Sequence, residues 1–480
     1  MTDPVAGADT PIVRSLIPWS RTRLPVLSTF DCLSKACIKI RKDSIVRSRI
    51  RSWALVILIF AASGAIYAPH AWAQPPAQAA AGDFYVPPPL PPVPPGAILR
   101  TEPAALALSA PGQPGVMPAR STKMMYVSSD THDAPTAVVA TYLEPILPWT
   151  GPGERPLVAY GVGSQGQGDQ CAPSKVLPQI AQFRPPYDAL AEYDLIALSS
   201  LLARGMAVVV TDYHGLGTPD VHDFLNRKAQ AYAVLDSARA ALQMPGSGLN
   251  PHSPIMLFGY SQGGMASAGA AELQSSYAPE LNVRGAYVGG PIVDPENFIG
   301  YNYGRPGVGS AAPLTLNGIV ADYPETRPIL DAEINDVGKG LMNDALGKCA
   351  IAASLDIQIR QISHITTSGE PLTAVIDRSP ALKEAFDEQR IGSQAPSMPV
   401  LIASAMNDEG TPYPPVRAVA AGWCAGGTPV QLDANTQLPA ITGIVGTHDL
   451  AYFPSLATAQ AWMTDRLAGL PAPSNCAALP

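Results

Sequence analysis

Residues 254–277 read PIMLFGYSQGGMASAGAAELQSSY. An apolar run of strand length leads into Gly259-Tyr260-Ser261-Gln262-Gly263, and a stretch of small residues of helical length follows. Strand, G-x-S-x-G and helix in that order predict a sharp turn with Ser261 at its apex, strained and with its hydroxyl exposed. Glycine stands two residues before and two after the serine because a Cβ there would clash as strand and helix crowd together. Ala266, Ala268, Gly269 and Ala270 let the helix lie close to the sheet. A glycine-rich loop that binds phosphate through backbone amides would lack a reason for the single serine between glycines, and no lysine stands in Walker spacing. Ser261 is therefore read as a nucleophile.

A serine hydroxyl is a poor nucleophile at neutral pH and needs a base. The chain order expected for this turn is Ser, then Asp or Glu, then His. Only His364 and His448 follow Ser261. His364 lies in IRQISHITT, inside a helical insertion, whereas His448 lies in GIVGTHDLAYF, a Gly-rich segment ahead of a terminal helix. His448 is the expected base. Asp408 directly follows the apolar run PVLIASAMN and opens DEGTPYPP. It is the expected acid, with Glu409 and then Asp433 as alternatives; its task is to hold the imidazole tautomer and stabilise the imidazolium. Two oxyanion donors are needed. One is the backbone N–H of Gln262; the other comes from the loop GVGSQGQGD (161–169), where Gln165 and the amides of Ser164 and Gly166 are candidates. His214, Asp220, His222 and Asp223 are metal-like in type, but their spacing fits no common zinc motif. No metal and no cofactor is assigned from the sequence.

Outward from the serine, apolar runs alternate with helical patterns. MMYVSS (124–129) and AVVATYLEP (137–145) predict a strand pair; PLVAYGVG (156–163), MAVVVTDY (206–213) and PVLIASAMND (399–408) predict buried strands. Helical spacing marks 188–205, 227–244 and 265–276. Strands buried on both faces, alternating with helices, imply a parallel sheet in a three-layer α/β domain. Residues 296–395 interrupt that rhythm with helical stretches such as 332–354 and few strand signals, which predicts a cap inserted into a core of 100–295 and 396–480. Residues 74–99 hold PPPLPPVPP, an extended polyproline-type arm read as a plain tether.

The first 73 residues read as a leader. WALVILIFAASGAIYA (53–68) is uncharged, follows Arg47, Arg49 and Arg51, and precedes Ala71-Trp72-Ala73. Basic flank, apolar core and A-x-A end predict a secretory signal peptide cleaved after Ala73; a retained anchor is the alternative, although the run is shorter than the ~20 residues of a span. Residues 1–45 are an unusually long preamble, read as an over-extended frame with translation starting near Val46. The leader holds 10 of the 31 basic and 4 of the 39 acidic residues, so removing it takes the net charge from −8 to −14 over 407 residues. That sign speaks against a nucleic-acid partner. Four cysteines remain, Cys171, Cys349, Cys424 and Cys476. An even number in an exported chain favours disulfides, with three connectivities open.

The segments SQGQGDQCAPS (164–174), VVVTDYHGLGTPDVH (208–222), FGYSQGGMASAGAAEL (258–273), SYAPELNVRGAYVGGP (276–291), NDEGTPY (407–413) and THDL (447–450) together resemble the secretory lipase family of α/β-hydrolases, with its fungal lipase A-like and actinobacterial members. The similarity runs from about Phe84 to about Cys476. It implies the α/β-hydrolase fold, a mostly parallel sheet flanked by helices with an inserted helical cap shaping an acyl pocket. It also implies the triad Ser261, Asp408 and His448, and the disulfides Cys171–Cys349 and Cys424–Cys476. The loop departs from the family: Val162 and Ser164 stand where many bacterial members have His or Thr, and Gln165 stands where the fungal branch has an Asp. The expected activity is hydrolysis of acylglycerol-type esters by a secreted enzyme, through an acyl-serine intermediate and with transient contact between cap and lipid interface. Acyl transfer to a lipid or cell-wall hydroxyl and an inactive hydrolase-like binding protein are the alternatives.

Overall fold

The computed structural model describes residues 83–185, 188–302, 311–360, 364–441 and 446–479, without the side chains of 356–360. The leader read at 1–73 and the first residues of the arm, 74–82, lie outside the described residues. Among the described residues one nine-stranded sheet runs through the domain. Its strands are β1 (Ile98–Ala104), β2 (Ala119–Ser129), β3 (Pro135–Pro145), β4 (Leu157–Gly161), β7 (Ala207–Thr211), β8 (Ile255–Tyr260), β9 (Val283–Gly289), β10 (Val400–Ala405) and β11 (Val430–Asn435), in the order β1-β2-β3-β7-β4-β8-β9-β10-β11. The pairings from β1 to β7 are antiparallel and those from β7 across to β11 are parallel. A separate hairpin joins β5 (Ala181–Arg184) to β6 (Asp188–Ala191).

The central strands are buried along their whole length, β4, β7, β8 and β10 without exception. That burial is why they read as continuous apolar runs rather than alternating ones. A helical turn, α1 (Pro173–Val176), precedes the larger helices α2 (Leu195–Ala203), α3 (Arg227–Leu242) and α4 (Gln262–Tyr277). Successive residues of β8 point to opposite faces: Gly259 meets α4, whereas Phe258 stacks between Tyr160 and Tyr287 on the side of the C-terminal helix. That helix, α13 (Gly446–Leu467), covers β9 and β10 and joins α2 through Arg204 Nη2–Gln460 Oε1 at 3.2 Å. The result is the three-layer α/β-hydrolase arrangement.

Between β9 and β10 the described chain is helical: α5 (Pro295–Asn302), α6 (Ala311–Asp322), α7 (Arg327–Glu333), α8 (Asp336–Ala345), α9 (Ala350–Arg360), α10 (Leu372–Arg378) and α11 (Pro380–Glu388). These helices have a core of their own, built on Ile299, Leu316, Ile319, Leu330, Val375 and Phe386. After β10, α12 (Tyr413–Ala425) leads to β11.

Four local expectations change. Residues 188–205 are not one helix; Asp188–Ala191 is a strand, and the helix begins at Leu195. Asp188 is drawn out of helix because its carboxylate accepts Cys349 N at 3.0 Å and Gln170 Nε2 at 2.9 Å. Residues 332–354 are broken at Glu333 and again between Ala345 and Ala350, where Cys349 bridges Gly166. A further strand, β11, follows the one read as last, because its half-exposed VQLDAN lacks the apolar run of a central strand. The Pro-rich arm is no plain tether from Asp83 onward. Tyr85 is buried against Met125 and Val139, Lys123 and Lys175 lie 4.5 and 4.0 Å from its ring, and its hydroxyl meets Ser174 Oγ at 2.9 Å. Ser174 in turn bonds Asp212 through its backbone N at 2.9 Å and its hydroxyl. Burial pushes the Asp212 carboxyl up to about 7.

Among the described residues two disulfides are present, Cys171–Cys349 across 178 residues and Cys424–Cys476 across 52. The first ties the loop after β4 to the start of α9; the second ties α12 to the C-terminal segment. Closing a long loop removes more chain entropy from the unfolded state. Replacing Cys171 and Cys349 together by serine is therefore expected to lower unfolding stability by about 2–5 kcal/mol, and by more than the Cys424/Cys476 double replacement, as read by guanidinium denaturation.

Candidate active site

The turn after β8 is set by crowding. A Cβ on Gly259 would stand 2.0 Å from Gly263 O, and one on Gly263 would stand 2.0 Å from Gly161 O. Helix α4 therefore approaches β4 and β8 with nothing but backbone between them. Ser261 turns the chain at φ 61° and ψ −120°, a conformation that costs a non-glycine residue of order 1–3 kcal/mol. Its N–H donates to Gly289 O at 2.9 Å and its carbonyl accepts Met265 N at 3.1 Å. The Ser261 side chain lies at the foot of α4, where the first helical N–H groups have no carbonyl inside the helix. Gln262 N belongs to that group.

His448 sits inside the first turn of α13, not in a loop before it. Its Nδ1 donates to Asp408 Oδ2 at 2.8 Å. Nδ1 being the donor, Nε2 is left free to accept. Asp408 is held from its other side: Oδ1 accepts Gly410 N at 2.8 Å and Thr411 N at 2.7 Å, and Oδ2 accepts Thr411 Oγ1 at 3.0 Å. Burial alone would raise this carboxyl, but the imidazole charge and these hydrogen bonds carry it below its ordinary value. For His448 burial works downward, and the Asp408 charge and hydrogen bond outweigh it, lifting the imidazole to about 9.

Ser261, His448 and Thr411 line one cavity of about 400 Å³ with Leu190, Phe224, Phe298 and Leu314 among its walls. Ser164 also lines it. Gln165 lies beside Ser164, 1% exposed, and its side-chain amide has no protein partner among the described residues. The loop is fixed by Gln165 O, which accepts Ala350 N at 2.9 Å, and by Gln167 Nε2, which donates to His222 O and Leu314 O, each at 3.1 Å.

The remaining sequence candidates fall elsewhere. Glu409 does not face the imidazole; its Oε1 accepts Thr447 N at 2.6 Å and so caps the helix that carries His448. Asp433 is on β11 and lines a separate polar cavity of about 260 Å³ with Ser404 and Thr436. His364 is exposed, on the segment before α10, and its carbonyl accepts Asn335 Nδ2 at 3.2 Å. His222 is buried: Nδ1 donates to His214 O at 2.9 Å, so Nε2 accepts from Gln262 Nε2 at 3.1 Å.

Three positioning groups were not singled out from the sequence. Tyr260 donates its hydroxyl to His448 O at 2.6 Å. Thr411 supports Asp408. Asp194 accepts Tyr160 at 2.6 Å, Tyr452 at 3.1 Å and Gly163 N at 3.2 Å, joining the loop after β4 to α13. Asp194 stood inside a segment read as helix, and Tyr260 is the variable residue of G-x-S-x-G; a buried acid in EYDL was the one available signal.

Comparison with known proteins adds the family. The family model "Secretory lipase" matches residues 182–475. The "Probable inactive lipase" of Mycobacterium tuberculosis is 30% identical over 387 residues, 78% of this chain and 79% of that protein. Lipase A of Arthroderma benhamiae is 29% identical over 403 residues, 82% of this chain and 80% of that protein. Among solved structures, Candida antarctica lipase A in its closed state superposes with TM-score 0.65 at 21% identity, covering 79% of this chain and 86% of that one, a likeness of fold. With its family-model match over 294 residues (182–475), the chain belongs to the secretory lipase family.

Proposed function

We propose that the chain is a secreted serine hydrolase of carboxylic esters, acting on acylglycerol-type substrates through an acyl-serine intermediate. The observation that carries this reading is the His448 Nδ1–Asp408 Oδ2 bond at 2.8 Å, placed at the wall of an apolar cavity that also receives Ser261. With Nδ1 donating, Nε2 takes the Ser261 proton as Oγ attacks the ester carbonyl. The carbonyl oxygen becomes an oxyanion, held by Gln262 N–H and the Gln165 amide. Collapse expels the alcohol, which takes the proton from His448. Water, deprotonated by the same imidazole, then attacks the acyl-serine and releases the fatty acid. The buried, unpartnered amide of Gln165 supports its part, since a donor without a protein partner is free for the substrate. Leu190, Phe224, Phe298 and Leu314 suit an acyl chain. The family membership and the two disulfides support export, with the leader cleaved after Ala73.

The Mycobacterium tuberculosis relative, named a probable inactive lipase, favours a second reading, a hydrolase-like binding protein. A fluorophosphonate probe separates the two: wild type is expected to be labelled and Ser261→Ala not, and folded wild type that resists labelling would sink the enzyme reading. Across p-nitrophenyl esters from acetate to palmitate and a triolein emulsion, Ser261→Ala is expected to lose on the order of 10⁶ in kcat.

The imidazole must be neutral to accept the serine proton, so kcat/KM is expected to rise with pH along a limb centred near 9. Asp408→Asn removes the charge that lifts the imidazole; the limb then moves to lower pH and kcat falls by about 10⁴. A limb unmoved in the variant would contradict the pairing. Gln165→Ala is expected to cost about 10²-fold in kcat with an unchanged melting temperature; an unaltered kcat would remove Gln165 from the oxyanion site.

A further inference from the structure

The loop after β7 and the end of α6 meet at a buried group that ester cleavage does not use. We propose that His214, Asp223 and Asp322 hold a divalent cation, zinc by the chemistry of the set, where the helices inserted after β9 meet the sheet. One ligand atom from each of the three lies within 4.8 Å of the others. Asp223 is fully buried and Asp322 nearly so.

His214 Nδ1 and Asp223 Oδ2 are 3.3 Å apart and His222 Nδ1 stands 3.4 Å from Asp223 Oδ1, yet neither contact has the geometry of a hydrogen bond. That spacing suits coordination. Two ligands each about 2.0–2.1 Å from a tetrahedral zinc stand about 3.3–3.4 Å from one another. The outer groups suit metal ligands: a carboxylate stands beside the second imidazole nitrogen, and a ligand carboxylate is itself hydrogen-bonded. Asp220 Oδ2 lies 3.7 Å from His214 Nε2. Asp322 Oδ2 accepts from Thr131 Oγ1 and from Asn226 Nδ2, the latter at 2.7 Å.

Charge points the same way. Among the described residues no lysine or arginine pairs with Asp223 or Asp322; the His214 and His222 imidazoles stand 3.3 and 3.4 Å from Asp223, and Asp220, Asp223 and Asp322 crowd three carboxylates about His214, a concentration of negative charge that a divalent cation would offset. His222 is not a ligand, because its two nitrogens serve His214 O and the Gln262 amide. A mixed imidazole and carboxylate set suits zinc, with water in the fourth position. Local spacing could not reveal the set, because Asp322 follows Asp223 by 99 residues. The ion's part is structural. Phe224 beside Asp223 and Leu314 on α6 both line the cavity that receives Ser261, so the ion pins two walls of that cavity to each other.

The test uses the full chain, stripped with a chelator, loaded with zinc sulfate and dialysed. Elemental analysis is expected to find about one zinc per chain, and melting temperature is expected to fall on chelation and recover with zinc. Asp322→Asn is expected to abolish both. Asp220→Asn keeps every ligand and is expected to weaken zinc binding about 10–100-fold, which keeps the proposal testable if Asp322→Asn does not fold. Loaded wild type that holds well under one zinc, or a chelation response equal in wild type and Asp322→Asn, would overturn it. Zinc affinity unchanged in Asp220→Asn would do the same.

Discussion

The contact between the backbones of β4, β8 and α4 is the constraint on which the rest of the domain depends. Gly161, Gly259 and Gly263 leave no room for a side chain between strand and helix. A helix held that close cannot follow the strand by a relaxed connection, so the chain must reverse within one residue. Ser261 takes the positive φ that the reversal demands. The strain is held by burial around it, since β8 and the first three turns of α4 are buried throughout. The same approach aims the free N–H groups of α4 at the space in front of the serine.

Everything else at the site is carried to that turn from distant parts of the chain. The loop after β4 is clamped from three directions: by Cys349 through its disulfide, by Ala350 through the backbone, and by Asp194 through Gly163. Asp408 is fixed by two backbone amides and a threonine hydroxyl. These are short-range hydrogen bonds among buried groups, where each lost partner leaves an unpaired polar atom and costs about 1–3 kcal/mol.

The sheet was legible wherever a strand is buried on both faces, because continuous apolar runs such as 254–260 have no other use. The serine turn was legible because crowding admits only glycine at its flanks, and the pairing of Asp408 with His448 because each follows the apolar or Gly-rich segment that delivers it. The rest was hidden for identifiable reasons. Asp188–Ala191 has helical spacing, but the hydrogen bonds of Asp188 to Gln170 and Cys349 override it. β11 is an edge strand with a half-exposed face. The role of Glu409 depends on a helix N-terminus that arrives 38 residues later. Long-range partners leave no local periodicity.

Asp408 and Glu409 are consecutive, and they grip His448 and Thr447, also consecutive, in reversed order. One hydrogen bond is a swivel: it fixes a distance and leaves rotation open. Two adjacent bonds act as a key in a slot, resisting torque about the axis of α13, and the Tyr260 hydroxyl on His448 O supplies a third point of purchase. The orientation of the imidazole is therefore a property of a 22-residue lever rather than of one side-chain torsion. What holds the first turn of this helix in place therefore also sets the direction in which the ring beside Ser261 points.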